Sequence, residues 1–342
     1  MHKAFISICI PVYNTEQVLL RCLDSVAGQT FGDFEIVILN DCSPGKDDEG
    51  NGCKKIVKEF KKQLKKRHLK NPVEYLEHET NKGIVITRKD LVYAASGEYI
   101  FMLDSDDFLP PDALQNLVDG MRQSTQGPQD QTPDIIQGRA HTFNIDDDGN
   151  PNFLDKDRGV ITFKTITGHD IFNSAFVELS ISCYLWAKLI RREVFLDALE
   201  FIPDVYCILA EDFLISFFIM RLAKSYLGID KYVYNYCVST GISSKVIITS
   251  LDRWEQCCSV ASVFTTIFSW EQEQTELTGT SPLSKEEIKS ITGFAVGYLK
   301  NNLEQLRRAV HPDIREQAHK ILEDFWGESF VKRIENEVDN SL

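Results

Sequence analysis

Three observations predict an α/β fold built on a mostly parallel sheet with covering helices. Short apolar runs rich in β-branched residues recur at 5–12, 34–39, 73–77 and 99–103. Each has a strand's length, and most are apolar enough to be buried on both faces. Segments with apolar residues at helical spacing lie between them, so strand and helix alternate four times before residue 104, the pattern of a parallel sheet. Finally, polar turns follow all four runs, and in open α/β sheets ligands bind at the C-terminal ends of the strands.

The first run gives way to a turn at Tyr13-Asn14, after which Thr15 opens a helix carrying Val18, Leu19, Cys22, Leu23 and Val26 and ending near Gly28. The second strand runs into Asn40-Asp41-Cys42-Ser43-Pro44-Gly45, residue types that tolerate special backbone angles. The next helix sets nine basic residues from Lys54 to Lys70 around Ile56, Val57, Phe60 and Leu64. Such a helix can lie on an anionic membrane; a solvated face over the sheet is the plainer reading. Strand three precedes Asn81-Lys82-Gly83 and a helix containing Arg88. Strand four ends in Asp104, Ser105, Asp106 and Asp107, and Pro110-Pro111-Asp112 then starts a helix. Three carboxylates within four residues repel one another, and a divalent cation would relieve that.

Beyond this block, 133–137 reads as a further strand, and 141–157 as a polar loop or hairpin. Asp146, Asp147 and Asp148 read there as a solvated turn, since they lack the spacing of an EF-hand. Glu211 and Asp212 begin a helix, where acidic residues suit the dipole. Apolar periodicity in 251–270, 284–306 and 312–334 makes the C-terminal region helical, while 123–134 and 275–282 read as connections. The expected organisation is one domain over 1–247, in two halves 1–110 and 111–247, followed by a helical region 248–342.

A net charge of −14 from 37 Lys and Arg against 51 Asp and Glu argues against general nucleic-acid binding, which needs a basic face. Nine cysteines, odd in number and without a C-x-x-C pair, read as reduced thiols. No apolar run reaches membrane-spanning length and the N-terminus lacks a signal-peptide pattern. The expected location is cytoplasmic, with membrane contact limited to a peripheral one at the inner face.

The four strand-end elements P-V-Y-N, N-D, N-K-G and D-S-D-D are each weak alone. In this order they resemble the GT-A glycosyltransferases of family 2, inverting nucleotide-sugar-dependent enzymes with a Rossmann-like sheet. The resemblance spans residues 5–245 and is specific over 5–110; it implies that 1–247 is a catalytic domain with a nucleotide-sugar-binding half 1–110 and an acceptor-side half 111–247. It implies that Pro11, Tyr13 and Asn14 line the nucleotide pocket and that Asp41 accepts a hydrogen bond from a uracil ring. Lys82 and Arg88 lie near the donor, Asp104 and Ser105 belong to the donor site, and Asp106 holds manganese or magnesium against the diphosphate. It also implies that Asp212, in an E-D pair after a W-x-K element at Trp186 and Lys188, is the base that deprotonates the acceptor. The partners are then a UDP-sugar donor and a saccharide or lipid-linked saccharide acceptor in surface polysaccharide or glycolipid synthesis, and a homodimer is allowed.

This chain departs from the family pattern at Cys42, where glycine is common, and at Thr87-Arg88-Lys89, where A-R-N is usual. No histidine lies between His169 and His311 to complete a metal site, so Ser239, Thr240, Ser243 or Ser244 is the expected closing element over the donor. A dinucleotide oxidoreductase would need G-x-G-x-x-G after the first strand, and PVYNTE is not that. A nucleotidyltransferase would need a Gly-rich basic loop. The alternative of another class is a catalytically silent nucleotide-sugar-binding or assembly subunit acting through its helical region.

Overall fold

The computed structural model of the protein describes residues 3–124, 132–146, 149–238 and 247–339. The elements run β1 (Ile6–Val12), α1 (Glu16–Ala27), β2 (Phe34–Asn40), α2 (Cys53–Lys66), β3 (Val73–Glu77), α3 (Ile84–Ala94), β4 (Tyr99–Met102) and α4 (Ala113–Ser124). There follow β5 (Ile135–Ile145), β6 (Pro151–Asp157), β7 (Thr165–Thr167), α5 (Asp170–Phe176), β8 (Lys188–Arg191), α6 (Arg192–Leu199), α7 (Glu211–Leu222) and β9 (Ser225–Cys237). Five α-helices, with a 3-10 turn at Pro312–Ile314, complete the described chain: α8 (Leu251–Cys258), α9 (Ala261–Thr278), α10 (Lys285–Arg308), α11 (Arg315–Trp326) and α12 (Glu328–Asp339).

Two compact units emerge, one comprising Met1–Glu200 and Ser216–Ile242, the other Phe201–Ile215 and Ser243–Leu342. The first contains a mixed sheet in the order β3-β2-β1-β4-β8-β5-β9-β7, with β6 paired to β5. Strands β1 to β4 are mutually parallel, as their alternation with helices requires, whereas β8 enters antiparallel to both β4 and β5. All seven residues of β1 and all four of β4 are buried, so these central strands read as unbroken apolar runs. Helix α2 buries Ile56, Val57, Phe60 and Leu64 in the core of this unit and leaves Lys54, Lys55, Lys58, Lys62, Lys65 and Lys66 exposed, in line with the solvated-face reading.

Register explains why a proline is tolerated in the central strand. β1 pairs with β4 only as far as Cys9 opposite Met102, but continues beside β2 to Val12 opposite Asn40. Pro11 therefore sits where the β4 side no longer asks for a backbone N–H. From that point β1 and β4 part. Sequence order also reverses there, because β2 and β3 lie to one side of β1 and β4 to the other; such a switch point leaves a crevice at the strand ends.

In the second unit, Trp254, Leu299, Leu303, Leu322 and Val331 form a core. Trp254 donates from Nε1 to the Ala318 carbonyl at 2.7 Å, so its polar edge is satisfied although the ring is fully buried. Phe213 packs edge-on to Phe294 and beside Phe264, which ties 201–215 to these helices. Helix α9 extends to Thr278, so the connection expected at 275–282 begins later than the composition suggests. No helix among the described residues is long and apolar enough to cross a membrane.

Candidate active site

The turns after β1, β2, β3 and β4 carry Tyr13-Asn14, Asp41, Asn81-Lys82-Gly83 and Asp104 to Asp107, and parallel strands bring them to one edge of the sheet. Within the acidic loop, burial alternates: Asp104 and Asp106 are partly exposed, while Ser105 and Asp107 are buried. The inward residues fasten the loop. The Ser105 hydroxyl is 2.7 Å from that of Thr15, at the start of α1. Asp107 accepts from the Tyr234 hydroxyl at 2.8 Å and from the Cys237 N–H at 2.7 Å, both on β9. The Tyr234 oxygen in turn accepts from the Asp104 N–H at 3.1 Å. Arg21, on α1, donates to the Asp106 carbonyl at 2.7 Å with its guanidinium over the rings of Phe108 and Phe143.

The outward residues carry the charge. Arg88 on α3 pairs with Asp104 at 3.1 Å, its own side chain almost wholly buried. Burial, reinforced by the charges of Asp106 and then Asp104, pushes the Asp107 carboxyl well above the usual carboxylate range. Among the described residues no group of three or more His, Cys, Asp or Glu side chains is arranged to hold a metal unaided. The loop nonetheless fits a divalent cation: one hard carboxylate ligand is enough for magnesium or manganese when phosphate and water oxygens fill the rest of the shell, and the crowded negative charge favours one.

Asp41 is a junction. Its Oδ1 accepts from the Lys82 N–H at 2.8 Å and its Oδ2 from the Gly83 N–H at 2.9 Å, closing the turn after β2 onto the start of α3. Gly83 has φ +86°, a conformation that favours glycine. His78, one residue beyond β3, reaches Asp41 Oδ1 at 2.7 Å. Sequence reasoning passed over His78, although its place at the end of a parallel strand was the available signal. Lys82 itself is exposed, with Nζ 3.5 Å from Asp90.

Pro11 is buried opposite Leu39, Tyr13 is half exposed, and the Asn14 N–H donates to the Ser43 hydroxyl at 2.7 Å. Asn14 has φ +58°. Six described residues other than glycine have positive φ, and four of them sit on the motifs: Asn14, Cys42 at +53°, Ala187 at +56° between Trp186 and Lys188, and Ala210 at +65° immediately before Glu211-Asp212. Strained conformations of this kind cost about 1–3 kcal/mol and gather at functional sites. The Cys42 value accounts for the glycine common at that position.

In the first unit, Trp186 stacks between Tyr184, at 4.5 Å, and Tyr234, at 5.1 Å. The W-x-K element thus buttresses the tyrosine that fastens the acidic loop. Lys188 is buried and donates to the Tyr184 carbonyl at 2.5 Å. Asp212 stands in the first turn of α7, in the segment that groups with the second unit. Ser239, Thr240, Ser243 and Ser244 lie outside the described residues, as do Asp147 and Asp148. Directly after the acidic loop, Phe108, Asn116, His141, Phe153, Tyr232 and Asn235 help to line an open cavity of about 500 Å³. His141 and Tyr232 stack there in parallel, 3.4 Å apart.

A family model described as glycosyl transferase family 2 matches residues 7–182. The chain is similar to the glycosyltransferase GlyA of Streptococcus pneumoniae, 27% identical over 255 residues, covering 70% of this chain and 32% of that protein. It is also similar to the chondroitin synthase of Escherichia coli, 33% identical over 118 residues, covering 34% of this chain and 15% of that one. The matches span about a third or less of these relatives. Among solved structures, S. aureus TarS 1-349 in complex with UDP superposes with a TM-score of 0.53 at 17% identity, covering 98% of this chain and 92% of that one. This likeness is one of fold.

Proposed function

Because the chain belongs to glycosyl transferase family 2 and has the GT-A fold, we propose that it moves a sugar from a UDP-sugar to an acceptor hydroxyl with inversion, in a metal-dependent reaction of surface polysaccharide or glycolipid synthesis. The observation that carries this reading is the single sheet edge on which four strand ends bring the base-side turns and the acidic loop together. The chemistry suits that edge. Asp41, Tyr13, Asn14 and Pro11 seat the nucleotide, Lys82 and Arg88 supply positive charge beside it, and Asp104 faces the ribose or sugar while Ser105 fastens the donor-site loop from behind.

Magnesium or manganese held at Asp106 would neutralise charge on the diphosphate as a Lewis acid. Asp212 takes the acceptor's proton as the acceptor oxygen bonds to the anomeric carbon; the bond from that carbon to the phosphate oxygen breaks, and its electron pair leaves with UDP. One displacement inverts the centre and needs one base. A saccharide acceptor is favoured by the cavity beside the acidic loop: flat ring faces suit the apolar face of a sugar, and Asn116 and Asn235 suit its hydroxyls.

A donor panel read by nucleotide release tests the reading. Transfer should require a divalent metal and be lost on chelation. Asp212→Asn should lower turnover by at least about a hundredfold, the low end of what general acid–base catalysis contributes, and Asp106→Ala should lose the metal-dependent turnover. Normal turnover in Asp212→Asn would remove the base assignment, and UDP binding without transfer from any donor would remove the enzymatic reading.

A further inference from the structure

The imidazole of His78 stands between two carboxylates from different elements. Nδ1 is 2.7 Å from Asp41 Oδ1, and Nε2 is 2.9 Å from Asp90 Oδ2 on α3. The ring is 8% exposed. A carboxylate only accepts, so each of these contacts is a hydrogen bond donated by the ring nitrogen that faces it.

This contact finishes the immobilisation of Asp41. Oδ1 takes the Lys82 N–H and the His78 ring, and Oδ2 takes the Gly83 N–H. A carboxylate oxygen has two lone pairs, so Oδ2 keeps one direction open. The same helix that holds His78 through Asp90 also holds the acidic loop, since Arg88, two residues earlier on α3, pairs with Asp104. One helix thus braces both the base-side turn and the acidic loop.

We propose that His78 is a positioning residue for the nucleotide: it locks the Asp41 carboxylate and anchors that lock to α3, so that the open direction of Oδ2 meets an N–H of the bound base. His78 touches no substrate and acts only through Asp41. The proposal rests on the reading of Asp41 as the base contact.

Calorimetric binding of UDP with manganese to the full chain, beside thermal unfolding of each variant, tests it. His78→Asn keeps an N–H near the Nδ1 position and the bond to Asp41; His78→Gln places its amide near Nε2 and keeps only the bond to Asp90. UDP affinity should fall about tenfold or more in His78→Ala and His78→Gln, and stay within about threefold of wild type in His78→Asn, because a charge-assisted hydrogen bond is the one removed. Equal loss of affinity in the Asn and Gln variants in proportion to lost thermal stability would make the role merely structural and overturn the proposal. So would wild-type UDP affinity in His78→Ala and His78→Gln while Asp41→Asn binds weakly. Wild-type affinity in Asp41→Asn itself would overturn the base-contact reading, and this proposal with it.

Discussion

Asp107 spends its carboxylate on structure. It lies inside the acidic loop with two donors, and one of them, the Tyr234 hydroxyl, also receives the Asp104 N–H. Tyr234→Phe deletes both contacts of that hydroxyl while leaving the ring in its stack with Trp186. Denaturant unfolding should show a loss of about 1–3 kcal/mol, the cost of leaving buried polar groups unsatisfied, and metal-dependent turnover should fall with it. A variant as stable and active as wild type would show that β9 does not hold the loop. The thiols give a second prediction at this scale. No disulfide joins any of the nine cysteines, all of which lie among the described residues. Burial, helped by the charge of Glu16, pushes Cys53 up to about 12, and burial likewise raises Cys9, Cys22, Cys207 and Cys258. At pH 8 these five hold almost no thiolate, so mass-mapped alkylation should mark exposed Cys42 and spare them. Since Cys42 follows Asp41, UDP should slow its modification; an unchanged rate would count against a nucleotide at that turn. The acidic residues were legible because an apolar run points straight at them. Tyr234 was not, because YVYNYC offers three tyrosines at strand spacing and only the fold shows which one meets Asp107.

Elements were legible where periodicity and length agree. β1, β2, β3 and β4 follow from apolar runs and turn residues to within a residue or two at their ends, while α2 stops at Lys66, short of the expected Lys70. The four residues of β8 are hidden in a longer apolar segment, and its antiparallel entry between β4 and β5 is set by partners far away in sequence. Backbone strain was equally invisible, because Ala210 looks ordinary in a sequence and yet has φ +65° at the start of α7. Alanine in the left-handed region pays about 1–2 kcal/mol, which glycine escapes at about 0.5–1 kcal/mol of added chain entropy. Ala210→Gly should therefore unfold within about 1 kcal/mol of wild type, whereas Ala210→Val, β-branched at positive φ, should be clearly less stable. Equal melting temperatures for Val and Ala at this position would mean that the turn before Glu211-Asp212 is not strained.

Across the whole molecule, the base assigned to the reaction belongs to a segment that the chain's order does not group with it. Residues 201–215 are compact with the C-terminal helices, although the stretch Ser216–Ile242 that separates the two in sequence belongs to the first unit. Phe213, next to Asp212, packs on Phe264 of α9 and Phe294 of α10, with ring centroids 5.6 and 5.0 Å away. The Ile208 N–H donates to the Ser259 hydroxyl at 3.0 Å. Such contacts join residues fifty or more positions apart, which no local pattern encodes. Removing residues 248–342 would strip Phe213 of both rings, and losing the packing around a buried phenylalanine costs about 3–5 kcal/mol. The start of α7 would then lose the packing that Phe213 gives it. A chain ending at Ile247 should keep UDP binding, because Asp41, Asp104 and Asp106 and the strands that carry them lie within the first unit, but it should lose sugar transfer, because Asp212 is no longer fixed. Calorimetry and nucleotide release on the same preparation separate the two. Full turnover by the truncated chain would show that the helical region does not position the base, and loss of both would show that the first unit does not fold without the second.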